Sequence, residues 1–281
     1  MPELISLRGA PATFFMKYFI SLLFLLTACS VTAQISLSVA PARLFFDITG
    51  TRKTEKIKVF NNGKEKAIWQ IYLQDWTRDS LGQKHFFPPN TLPHSCAADL
   101  IIFPSVLQIP PDSTGEVTVS IKDNFSLSQT DTSKHAMVVI SQADDPAKLK
   151  DAAAKKQAAI MIKAEFAVHV YLLNGGSKKD VTIDQFYLQR DSAKNKLQVY
   201  VHNTGLQPLD TKVHIEFSND ATAKQWKLNE ITAAILPGDI RIVSFALPDG
   251  LEKGMYSAMA TVDCGEDVPL KIGELSFNWN E

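Results

Sequence analysis

The chain has 281 residues, with 29 Lys and Arg against 30 Asp and Glu, for a formal net charge of −1. That balance leaves no electrostatic footprint for nucleic acid or an anionic membrane surface. Hydrophobic residues make up 45% of the chain, and its length gives room for two domains, each with its own core.

Met16 opens the stretch MKYFISLLFLLTACSVTAQ. Lys17 is its positive start, an apolar run follows from Phe19, and Val31-Thr32-Ala33 supplies the small residues of a signal-peptidase site. The apolar run is shorter than the about 20 residues that a spanning helix needs. Residues 1–33 therefore read as an export signal with Met16 as the expected start, cleavage after Ala33 and a periplasmic destination. Leu26-Thr27-Ala28-Cys29 resembles a lipobox and offers a second route, with Cys29 as a lipidated terminus.

From Gln34 the pattern is short alternating runs cut by turn residues. Residues 35–48 read as a first strand broken at Pro41, and 54–60 as a second, closed by the turn Asn61-Asn62-Gly63. AIWQIYLQDW, at 67–76, alternates strongly. Trp69 and Trp76 have opposite parity in it, so an unbroken strand sends them to opposite faces, as one core and one rim residue. This argues against a sugar-binding aromatic platform. Residues 79–98 read as a loop. Residues 100–109 and 115–121 flank the turn Pro110-Pro111-Asp112, and HAMVVIS follows at 135–141. Residues 144–159 are rich in Ala and Lys and have no apolar stripe, so they read as an exposed helix or loop.

The strand at 159–173, AIMIKAEFAVHVYLL, holds a period of two for more than ten residues. Most strands are about 5–6 residues long. One this long outruns its partners and leaves an edge free, or else buries its apolar face in its own sheet. After Asn174-Gly175-Gly176-Ser177, a hinge-like composition, six further β-rich runs occupy 181–188, 197–202, 211–217, 240–246, 255–262 and 270–277. Both series point to antiparallel sandwiches, an all-β chain with two tandem immunoglobulin-like β-sandwich domains at 34–173 and 174–281. The second is not an obvious sequence copy of the first.

No nucleophile elbow, zinc-protease helix, phosphate loop or dinucleotide fingerprint is present. His94-Ser95-Cys96, with His85 upstream, lacks the paired spacing of a zinc site. The expectation is a non-enzyme without metal or cofactor. Cys96 and Cys264 remain after cleavage, either as free thiols or as a staple between the two domains.

These features together resemble the PapD-like periplasmic pilus (fimbrial) chaperones. Arg43-Leu44-Phe45-Phe46-Asp47 looks like that family's first strand. Phe103-Pro104 through Ile109-Pro110-Pro111 is similar to its "x-P-x-x-x-x-L-x-P-G" strand, and the runs at 115–121, 135–141 and 160–171 fall where its next strand, its strand F and its donor strand lie. The resemblance implies a chaperone that caps subunits of a surface fibre or adhesin by lending them an edge strand. The donated residues would be Ile160, Ile162, Ala164 and Phe166. It also implies that the client's terminal carboxylate is held by Arg43 and by a position that is lysine in the family and His169 here. Protein clients and an outer-membrane usher are the implied partners, with no small-molecule substrate. The rival reading is a structural two-domain interaction protein of the cell envelope with a permanent partner, which would copurify in fixed stoichiometry.

Overall fold

The computed structural model describes residues 37–143, 163–190 and 194–280. The expected export segment, the Ala/Lys-rich stretch 144–159 and the expected donor positions Ile160 and Ile162 lie outside them. Ten strands build the first sandwich: β1 (Leu37–Ala40), β2 (Arg43–Asp47), β3 (Thr54–Asn61), β4 (Ala67–Arg78), β5 (Lys84–Phe87), β6 (Leu100–Phe103), β7 (Val106–Ile109), β8 (Ser113–Ile121), β9 (Lys134–Gln142) and β10 (Glu165–Leu173). One sheet runs β1-β3-β8-β6, the other β2-β10-β9-β4-β5, with β7 also pairing β4. Alternation drives every second side chain inward. Ile57, Val59, Val117, Val119, Val138 and Ile140 meet between the sheets with Trp69.

Eight strands make the second sandwich: β11 (Val181–Gln189), β12 (Lys196–Asn203), β13 (Leu209–Asn219), β14 (Gln225–Lys227), β15 (Ile231–Ile235), β16 (Ile240–Ala246), β17 (Gly254–Asp263) and β18 (Lys271–Trp279). Its sheets run β11-β12-β16 and β14-β13-β17-β18, with β15 also pairing β13. Apart from one short 3-10 turn at Ala97–Asp99, the described residues are all-β, as two tandem sandwiches.

The two sandwiches share a construction the sequence did not advertise. In each, an asparagine ends one strand and ties the corner to the next. Asn61 Nδ2 donates to the carbonyls of Glu65, Ile109 and Pro110, while its Oδ1 accepts from the Gly63 amide. Asn203 repeats this with the carbonyls of Gln207 and Ile235 and the amide of Gly205. Both are buried, so each amide satisfies carbonyls that water does not reach. A Cβ at Gly205 would meet backbone atoms of Lys178, Lys179 and Asp180, which explains the glycine there.

Several expectations shift. The loop at 79–98 contains β5, a short partner to the end of β4. The run 100–109 is two strands, because Pro104 has no amide to give a ladder and the chain changes sheets there. Strands β14 and β15 were not legible at all. Trp76 is not a rim residue: it is fully buried, in a cluster where Leu236 of the second sandwich meets Met137, Val139 and Tyr171 of the first. The sequence of the Asn174–Ser177 connection suggested a hinge, yet its backbone is tied down. Gln207 Nε2 donates to the carbonyls of Asn174 and Ser177, and Asn174 Nδ2 to Leu127. Gly175 donates to Asp47, and a Cβ there would collide with that carboxylate. Cys96 and Cys264 are both free thiols. Burial raises both, Cys264 to about 11.

Candidate functional site

The strand pairing brings the two expected carboxylate ligands side by side. β2 runs parallel to β10, and Arg43 is the cross-strand partner of His169. The pairing starts only there and ends at Asp47–Leu173. On its other side β10 pairs with β9 from Glu165 to Leu172. Over Glu165–Val168, then, one edge of β10 has no strand beside it among the described residues. Its inward side chains complete the mouth of the core: Ala164 and Phe166 are half-buried against it, and Phe166 meets Trp69 edge-on with ring centroids 6.2 Å apart. The other face is polar, with Glu165 accepting from Ser141 Oγ at 2.7 Å and Tyr72 Oη at 3.3 Å.

Where that open edge stops, cations gather. Tyr171 stacks on Phe45 at 4.9 Å, and the Arg43 guanidinium lies 5.9 Å from the centre of the Phe45 ring. His169 lies nearly parallel to Tyr171 and edge-on to Trp76 at 4.5 Å. Arg78 and Lys84 sit 5.3 and 5.9 Å from the Trp76 ring centre. Arg78 also donates to the Ala234 carbonyl of the second sandwich at 2.8 Å.

His169 does not carry charge in this setting. It is buried, and burial together with Lys84, Arg78 and Arg43 pushes it down to about 3. The neutral ring accepts from Lys84 Nζ, 2.9 Å from Nε2. Lys84 is itself lowered, by burial and then by Arg78. The cation beside His169 thus comes from β5, and His169 accepts its hydrogen bond. Only KHFF, a short alternation after Gly82 within a Pro- and Asn-rich loop, could have signalled Lys84 in advance. Asp210, across the cleft, was likewise unread: it lies 2.7 and 2.9 Å from Arg43 Nη1.

A hairpin latch fixes Lys84. The turn joining β4 to β5 reaches the second sandwich, where the Ile242 amide donates to the Ser80 carbonyl and Arg241 Nη1 to that of Asp79. Asp75, buried on β4, clamps the following loop by accepting from the Thr91 and Leu92 amides and Ser95 Oγ. Ser95 belongs to that clamp, His94 and Cys96 pair through their backbones with His135, and no group of metal-ligating side chains occurs among the described residues.

The chain is similar to fimbrial chaperones. No family model and no curated protein matches it. Among solved structures, the class 5 fimbriae chaperone CfaA is 13% identical with a TM-score of 0.46, over 87% of this chain and 99% of that one. The CsuC–CsuE chaperone–tip adhesion subunit pre-assembly complex of Acinetobacter baumannii matches at 13% identity and a TM-score of 0.44, covering 85% and 97%. The Salmonella enterica SafA pilin in complex with the SafB chaperone gives 8%, 0.42, 87% and 99%.

Proposed function

We propose that this chain is an exported, periplasmic chaperone that holds an incomplete β-sheet subunit of a surface fibre or adhesin at the open edge of β10. The client's terminal carboxylate then enters the cationic cleft between Arg43 and Lys84. One observation carries the reading: the edge at Glu165–Val168, with no strand beside it among the described residues, runs directly into the Arg43–His169 pair, where β2 takes over. An added strand would extend the ladder along β10, with backbone hydrogen bonds supplying affinity and alternate side chains supplying selectivity. Ile160 and Ile162 continue the parity of Ala164 and Phe166. Each isoleucine fully buried in a client would contribute about 1.5–3 kcal/mol. Arg43 and Lys84, with Arg78 behind, would hold the carboxylate by charge-assisted hydrogen bonds. Handover to an outer-membrane usher would follow from the same reading, as would soluble release after Ala33 rather than anchoring through Cys29.

A second reading has one observation in its favour. Phe166 packs on Trp69 and Ala164 on the same core, so this part of β10 also serves its own sandwich. A permanent envelope partner would use the strand without release.

Purification of the tagged chain from its native envelope separates the two. Small β-rich subunits bound one to one, lost in both Ile162→Asp and Arg43→Ala while the variants stay folded, are expected for the chaperone. A single partner in fixed stoichiometry, retained by both variants, would establish the permanent complex instead.

A further inference from the structure

The cleft arginine is engaged by the chain's own carboxylate. Arg43 Nη1 lies 2.9 Å from one oxygen of Asp210 and 2.7 Å from the other, across the boundary between the sandwiches. The pair lines a small cleft together with Arg78, Tyr171 and Leu236. Its lining carries two arginines and a single acid, Asp210.

We propose that Asp210 is an internal stand-in for the carboxylate this cleft takes. It neutralises Arg43 while the cleft is empty and is displaced by an entering chain terminus. The idea rests on the reading of the cleft given above and adds its regulation.

Three features make the contact suited to exchange. Both partners are about half exposed, at 43% and 47%, so solvent screens the pair and its release is cheap. The contact uses one guanidinium nitrogen against both oxygens, whereas an incoming carboxylate can take the stronger fork of two parallel N–H···O bonds. The junction of the sandwiches does not depend on it. Leu236 in its aromatic pocket, Arg78 on the Ala234 carbonyl, and Arg241 and Ile242 on the β4–β5 turn hold the two together.

An internal competitor reduces the apparent affinity of its rival by the population of the closed pair. A screened surface pair is worth up to about fivefold, the equivalent of about 1 kcal/mol. Asp210→Asn keeps the side-chain shape and removes the charge.

The test uses the full chain and two small probes, N-acetylglycine, which ends in a free carboxylate, and N-acetylglycinamide, which does not. Binding is read from the Arg78 side-chain and the Tyr171 and Leu209 backbone N–H resonances, which survive every substitution used. Asp210→Asn should bind N-acetylglycine up to about fivefold tighter than the wild type. Neither protein should respond to the amide, and Arg43→Ala in the Asp210→Asn background should abolish the response. Equal affinity for N-acetylglycine in the two proteins overturns the stand-in and leaves the carboxylate site intact. An equal gain for the amide overturns it as well, since the substitution would then have opened the cleft without regard to charge. Unfolding of Asp210→Asn would show the pair to be a structural tie and end the proposal. No binding by either protein would remove the carboxylate site itself.

Discussion

Gly82→Ala tests the latch that places Lys84. Gly82 has a φ of +99°, a region that costs an L-residue about 1–2 kcal/mol. A Cβ there would also fall on the Arg241 guanidinium, 2.7 Å from Cζ and closer to its nitrogens. Arg241 would have to leave, giving up its hydrogen bond to the Asp79 carbonyl. A bond from a charged donor contributes about 1.5–3 kcal/mol, part of which returns when the guanidinium meets water. The substitution should therefore destabilise the chain by about 2–4 kcal/mol in urea unfolding, and weaken carboxylate binding because Lys84 loses its mooring. A double-mutant cycle isolates the cause. In an Arg241→Ala background there is no guanidinium to expel, so Gly82→Ala should cost only its backbone part, about 1–2 kcal/mol. Costs that simply add, within about 0.5 kcal/mol, would show that the two residues do not meet and would refute the latch.

Other expectations follow from the same geometry. Leu236→Ala should cost about 2–5 kcal/mol by emptying the pocket among Trp76, Met137 and Tyr171, with a change in Trp fluorescence; a loss below about 1 kcal/mol would mean that the sandwiches are joined elsewhere. Asn61→Ala and Asn203→Ala should each cost about 2–4 kcal/mol, since each strands buried carbonyls at equivalent corners; markedly unequal losses would contradict that equivalence. Stability should also fall on mild acidification. His169 and His135 are held down to about 3 and about 4, chiefly by burial, against an unfolded value near 6.5. The unfolded chain therefore takes up protons first. Their contribution is complete above about pH 6.5 and is lost as pH falls toward the folded values, at about 1.4 kcal/mol per pH unit for each histidine. Urea midpoints measured between about pH 7.5 and 4.5 should show this slope, and His169→Gln should shallow it. A midpoint flat down to about pH 4.5 would refute the burial of neutral rings.

What the sequence disclosed was what period and parity can carry. The alternation through β10, the turns at Asn61-Asn62-Gly63 and Pro110-Pro111-Asp112, and the opposite parity of Trp69 and Trp76 all follow from local chemistry. Burial of Trp76 does not, because Leu236 arrives from a strand pair 160 positions later. Arg43 and His169 were paired only through family resemblance, for no local pattern relates residues that meet across a parallel ladder. Lys84 and Asp210 escaped altogether. Each acquires its role from a contact between distant elements, and each sits in a stretch whose local composition reads as an ordinary loop or strand surface. The neutrality of His169 is likewise a property of its surroundings.

The most direct test of strand capture is amide hydrogen exchange on the chain free and in complex with the subunit that copurifies with it. The reading predicts new protection in the backbone amides of residues 164–168, the open edge of β10, falling away in complexes weakened by Lys84→Ala. Unchanged exchange along that edge, with protection confined to the second sandwich or to β6, would contradict it.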